Sequence, residues 1–145
     1  MRTRLTSAFV VLTLALVGCT SIPQDPDGTL DRVQREGVLR VGASPSDRTQ
    51  LEEDLARGFA AELGARVEWT RDGETALVGA MERGELDLLI GGLHADSPWS
   101  DKVSITRAYA ESTEVGETVK HVLAVPLGEN AMLVRLESYL DESTP

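Results

Sequence analysis

Cysteine is nearly missing from this chain. Its 145 residues hold one, Cys19, so no disulfide can close within the chain and no thiolate metal centre can form. Positive charge is scarce as well: 14 Lys and Arg stand against 24 Asp and Glu, a formal net charge of −10 at pH 7. That balance excludes nucleic acid as a partner, which needs clustered basic residues, and it excludes electrostatic docking onto anionic lipid. Catalytic signatures are missing too. There is no Gly-x-Ser-x-Gly elbow, no phosphate-cradling Walker pattern and no His-Glu-x-x-His. No nucleophile–base pair stands out, no cofactor or resident metal is expected, and the chain reads as a non-enzyme. The longest apolar run, residues 5–17, is broken only by Thr and Ser. It falls short of the roughly 20 residues that a membrane-spanning helix needs.

What that run offers is an address. Arg2 and Arg4 precede it, and it closes on Leu16-Val17-Gly18-Cys19. A basic start, a short apolar centre and small residues before the end make an export signal. The ending resembles the lipobox of bacterial lipoproteins, in which the Cys becomes the first mature residue and carries the lipid. The resemblance implies a signal peptide over residues 1–18 and lipid attachment at Cys19. It implies a protein anchored to a membrane of the cell envelope on the extracytoplasmic side, periplasmic in a two-membrane bacterium. The plainer alternative is an ordinary cleaved signal with an incidental Cys. Residues 19–29, rich in Pro, Asp and Gly, then read as a short tether. What remains, residues 30–141, has the usual size of one domain.

That domain alternates strands with helices. Residues 30–36 form a leading helix stopped by Gly37, and residues 38–42 (VLRVG) a compact apolar strand. Leu51, Leu55, Phe59 and Leu63 recur every fourth residue, which lays an apolar stripe along a helix that ends at Gly64. The neighbouring Glu52-Glu53-Asp54 suits the positive end of that helix's dipole. RVEWT (66–70) follows as a strand, 75–83 as a helix, and LDLLI (86–90) as a strand buried on both faces. This order predicts right-handed βαβ units and a mainly parallel sheet. Beyond Gly91-Gly92, HADSPWSDK reads as a loop, VSITRAYA as a fourth strand and residues 111–118 as a polar connection. HVLAVP reads as a fifth strand, and Asn130 as the cap of a last helix with Met132, Leu133, Leu136 and Leu140 inward.

The segments GVLRVG, DLARGFAAELGARVEW, LVGAMERGELDLLIGGL and VSITRAYA, in that order, resemble the extracellular solute-binding proteins of the polar amino-acid transporter type. HVLAVPLGENAMLVRLESYL resembles the family's closing segment. The resemblance implies a periplasmic-binding-protein-like α/β domain with a five-stranded sheet. It also implies a role as the substrate-binding component of, or an associate of, an ABC-type uptake transporter. Two departures stand out. Family members have two lobes that close on a ligand, whereas here the chain turns back almost directly after Tyr109, so the second lobe is absent. In addition, the loop after the third strand places His94 at a ligand-facing hydroxyl position and Asp96 at a Thr position. Trp99 stands where the family's carboxylate-clamping Arg belongs.

In an open α/β sheet the site lies at the carboxyl ends of the strands. The expected ligand-binding residues are therefore Ser44, Gly91, Gly92, His94 and Trp99, with no catalytic residue among them. Plain structural readings stand beside these: Trp99 as a loop anchor, His94 as a solvated or internally satisfied residue. His121 opens a strand and attracts no functional claim. The expected solute is amino-acid-like, aromatic or cationic, the last two by stacking on Trp99. A permease or partner protein would supply the missing jaw. The second reading is an accessory lipoprotein that keeps one solute-binding lobe but binds another protein.

Overall fold

The computed structural model describes residues 25–144, and the signal segment, Cys19 and the first part of the tether lie outside them. Helix α1 (Thr29–Glu36) opens the domain and ends on Gly37, whose φ of 67° lets its N–H return to the Val33 carbonyl. Its first amides are met from the far end of the chain, because the buried Glu129 carboxylate accepts from Asp27 N (2.8 Å) and Thr29 N (2.7 Å).

Strands β1 (Val38–Ala43), β2 (Arg66–Arg71) and β3 (Leu88–Ile90) are parallel, with β1 between the other two. They are linked through helices α2 (Thr49–Glu62) and α3 (Glu74–Glu82). Parallel neighbours need such crossovers. The registers are Val38 opposite Arg66 and Val41 opposite Leu88. β4 (Val103–Ile105) and β7 (Ala124–Pro126) complete one sheet in the order β2-β1-β3-β7-β4. β1, β3 and β7 are its central strands, and of HVLAVP, read above as one strand, only Ala124–Pro126 belong to this sheet. β7 runs antiparallel to both neighbours, so four of the five strands share one direction and the sheet is mixed. β7 is reached through a hairpin and not through a helix, which leaves its direction reversed.

The sheet is covered on both faces. Leu88 and Ile90 of β3 pack with Leu55, Phe59, Met132 and Leu136 of α2 and α4 (Asn130–Ser143). Leu89 turns the other way, towards Leu77, Val78 and Met81 of α3. The alternation of a doubly covered strand is thus split between two clusters. Asp87, at the foot of β3, is fully buried and holds Arg40 through its backbone N (2.9 Å) and Nη2 (2.7 Å), with Arg32 on its other side.

Four expectations need correction. VSITRAYA is not one strand: β4 ends at Ile105, and Ala110 begins a separate one. The supposed connection at 111–118 belongs to a hairpin, β5 (Ala110–Glu114) with β6 (Glu117–His121), closed by Val115 (φ 49°) and Gly116 (φ 84°). Two consecutive positive φ values make a turn that matches the strands' twist. Asn130 is the first residue of α4 and not its cap; Glu129 occupies the cap position, and Asp25 Oδ1 accepts from Ala131 N (2.5 Å). The apolar stripe of α2 is also rotated by one residue at its start, leaving Leu51 45% exposed while Glu52 is fully buried.

Candidate functional site

The carboxyl ends of β1 and β3 meet at Ser44 and Gly91. Ser44 N donates to the Ile90 carbonyl (3.0 Å) and Ser44 Oγ to the Gly91 carbonyl (2.9 Å). Gly91 has φ 127°, and a Cβ there would lie 2.0 Å from Ser44 Oγ and 2.5 Å from Ser44 O. Glycine is therefore demanded both by backbone conformation and by the close approach of two chains. Gly92 is similarly crowded by Ser46.

Glu52 sits in the middle of this crevice. One turn into α2, its carboxylate accepts from Gly91 N (2.8 Å), from Gly92 N (3.0 Å) and from the Tyr109 hydroxyl (2.8 Å). A buried charge persists only where such donors replace water. Burial, followed by the negative charge of Glu52, pushes the Tyr109 hydroxyl well above its ordinary pKa, so Tyr109 acts here as a fixed donor. The two glycine amides expected to face a ligand are thus already engaged by the chain's own carboxylate, and the Ser44 hydroxyl is engaged by Gly91.

His94 and His121 come together although 27 positions separate them in the numbering. Their backbones form an antiparallel bridge, and their rings meet edge to face at 5.2 Å between centroids. Ala95 N donates to the Lys120 carbonyl (2.9 Å) and Val122 N to the Leu93 carbonyl (3.0 Å), which fixes the base of the hairpin to the loop after β3. His121 is 2% exposed; its Nε2 lies 2.8 Å from Ser112 Oγ, and its Nδ1 has no partner among the described residues. Burial lowers its pKa, and the positive charge of Arg48 and the neighbouring His94 lower it further.

Trp99 is placed differently. It packs against the α3-side core cluster, and its indole N–H donates to Glu74 at the start of α3. That arrangement is the loop-anchor role. A separate shallow cleft, about 410 Å3, lies at the ends of β1 and β2 and is lined by Ser44, Pro45, Ser46, Thr49, Arg71 and Asp72. Among the described residues no group of three or more His, Cys, Asp or Glu is arranged to hold a metal ion, and no helix is long and apolar enough to cross a membrane.

Sequence reading missed Glu52, Tyr109 and His121 as members of one cluster. For Glu52 a signal existed: Glu52, Leu55, Ala56 and Phe59 share helical spacing, so the acid lies on the stripe that faces the core. For Tyr109 and His121 there was none, because a hairpin that sequence reading did not foresee brings them together.

This architecture is one lobe of a periplasmic-binding-protein-like α/β domain. Domain 1 of TmArgBP in its arginine-bound form matches it with a TM-score of 0.68 and 20% identity, over 77% of this chain and 98% of that one. An ancestral cationic amino-acid solute-binding protein, AncCDT-1, matches with a TM-score of 0.68 and 14% identity over 79% and 93%. Truncated ArgBP from T. maritima, also arginine-bound, gives 0.67 and 12% over 79% and 100%. At such identities the likeness is one of fold. No family model matches the chain. Its sequence is similar to membrane-bound lytic murein transglycosylase F. The identity is 37% over 93 residues with the Vibrio cholerae protein, covering 57% of this chain and 17% of that protein. With the Vibrio vulnificus protein it is 32% over 96 residues, covering 59% and 18%. The chain therefore spans less than a fifth of the length of these curated relatives.

Proposed function

We propose that this chain is a lipid-anchored, extracytoplasmic solute-binding lobe that serves, or is attached to, an ABC-type uptake transporter. Its solute is a small molecule of amino-acid-like, aromatic or cationic character. The face used is the strand-end crevice around Ser44, Gly91, Gly92 and His94, with Trp99 bordering it from the α3 side. The observation that carries this reading is the match over nearly the whole of TmArgBP domain 1, described as arginine-bound. A lobe of this fold thus holds a solute without a second jaw in the same chain, which supports binding by the present one.

Two measurements test the proposal. The full chain is titrated with a panel of amino acids and of cationic and aromatic solutes, followed by tryptophan fluorescence. Because Trp69 also emits, Trp99→Phe serves as the control. Saturable binding of a panel member is the expected result, and no binding across the panel sinks the solute reading. For the anchor, Cys19→Ala is expected to move the protein out of the membrane fraction. A variant that stays membrane-bound after a salt wash refutes attachment through Cys19.

The accessory reading is favoured by a different observation. The sequence relatives are membrane-bound transglycosylases in which the matching stretch is a minor part, as expected of a module that works beside another domain. A silent panel combined with saturable binding to a purified envelope protein would transfer the proposal to that reading.

A further inference from the structure

Asp25 and the crevice lie at opposite ends of the sheet. β7 runs antiparallel to β3, with Ala124 opposite Leu89, so Pro126 and the turn after it lie at the amino ends of the parallel strands. Asp25 is fastened to that turn: its N–H donates to the Gly128 carbonyl (3.2 Å), and its carboxylate accepts from Ala131 N (2.5 Å). Glu129 holds Asp27 and Thr29 against the same turn. Two adjoining clefts, about 360 and 240 Å3, open at this foot of the sheet and share Asp27, Glu82 and Pro126. Glu52, Gly91 and Tyr109 meet at the other end, where the strands finish. The β5–β6 hairpin leaves the sheet from there, with Val115 fully exposed at its tip.

Only five residues, Thr20 to Gln24, separate Asp25 from Cys19. However extended, the six Cα steps between them span no more than about 22 Å. A compact domain of the size of residues 25–144 measures about 35 Å across. With Cys19 held in a bilayer, the domain cannot turn over: were the crevice against the lipid, Asp25 would stand farther away than the tether reaches. We propose that the short tether holds the foot of the sheet towards the anchoring membrane and the strand-end crevice away from it, so that whatever completes the crevice is a protein domain standing outside the bilayer. This inference rests on the anchor at Cys19 and narrows the partner, because the membrane-embedded part of a permease cannot reach the crevice. Charge points the same way. Arg32, Arg40, Arg83 and Lys102 match the acids lining the foot clefts one for one. The hairpin carries Glu111, Glu114 and Glu117 against Lys120 alone. An anionic headgroup layer therefore repels the hairpin end more than the foot.

The chain has no cysteine besides Cys19, so one introduced thiol at a time can take a fluorescent donor. Asp101→Cys marks the foot, where Asp101 lines the smaller cleft, and Val115→Cys marks the hairpin tip. Each full-length variant is produced with its lipid, checked by mass spectrometry and circular dichroism, and reconstituted into phosphatidylethanolamine–phosphatidylglycerol vesicles that contain an acceptor-labelled headgroup lipid. Energy transfer from Asp101→Cys is expected to exceed that from Val115→Cys at least about threefold. Inserting about twenty Gly and Ser residues after Gln24 lengthens the tether past the width of the domain and is expected to bring the two towards equality. Equal transfer from the two sites, or stronger transfer from Val115→Cys, overturns the orientation. A difference that survives the insertion overturns the tether as its cause. The anchor is read separately. A protein without lipid on Cys19, or a Cys19→Ala variant retained by the vesicles, refutes the anchor reading; lipid on Cys19 with inverted transfer refutes the orientation alone.

Discussion

Replacing Glu52 by Ala is the sharpest test of how the crevice is built. The carboxylate satisfies Gly91 N, Gly92 N and the Tyr109 hydroxyl, and its side chain is fully buried. Removing it strands three donors, and a buried donor left without a partner costs about 1–3 kcal/mol. Gly92 is partly open to solvent, so water can satisfy one of the three, and the expected loss is about 3–5 kcal/mol. For a domain whose whole stability is about 5–15 kcal/mol, that is a large share. Glu52→Gln should cost far less, because its amide oxygen can still accept from the glycines while the NH2 group donates to the tyrosine oxygen. Urea unfolding of the two variants and the parent measures both values. Tyr109→Phe supplies the second arm of a double-mutant cycle: with Glu52 gone, the hydroxyl has lost its acceptor, so the two losses should be less than additive. A loss below about 1 kcal/mol for Glu52→Ala, or strict additivity with Tyr109→Phe, would refute the buried network.

Three further outcomes follow from the same geometry. Phe59 is fully buried and lies 5.6 Å from the Tyr139 ring, so Phe59→Ala should cost about 3–5 kcal/mol in urea unfolding. Gly91→Ala places a Cβ against Ser44 at a φ that disfavours side chains, so thermal unfolding should show a loss of at least about 2 kcal/mol. The folded chain keeps His121 neutral, with its pKa below the unfolded value, in a setting of Arg48, His94, Glu52 and Glu114. As pH falls through about 6.5 the unfolded chain takes up a proton that the folded chain refuses, so stability should decline until the folded pKa is reached. The slope of melting temperature between pH 7.5 and 5.5 should therefore flatten in His121→Gln, and unchanged slopes would contradict the assignment.

The α/β scaffold was legible because its elements bury continuous apolar surface. LDLLI, VLRVG and the Leu55–Phe59 spacing each have one physical solution, and β1, β3 and β7 indeed lie at the centre of the sheet. The hairpin was not legible, since AESTEVGETVKH shows no apolar face; apart from its base it stands in solvent, with Val115 fully exposed at its tip. The site suffered from the same long-range dependence. A glutamate at a helix start reads naturally as a dipole partner, and the donors that bury it come from Gly91, Gly92 and Tyr109, the nearest of them 39 residues away. Ser44 and Gly91 meet at the strand ends. Their polar atoms, however, are spent on each other and on Glu52.

The hairpin stands where a second lobe would leave the sheet and return to it. In a two-lobed protein those strand ends are hinges, and a hinge must be free to turn. Here both crossings are fixed. Tyr109 N donates to the His121 carbonyl (3.0 Å), the Tyr109 hydroxyl is held by Glu52, and Leu93 and Ala95 bond to Val122 and Lys120 across the hairpin's base. With the crossings locked, binding energy is not diverted into closing a second domain. Any solute must be held by groups already in place, at a face only half shielded from water. Such a face gains little from apolar burial, so a charge-assisted contact must carry more of the affinity.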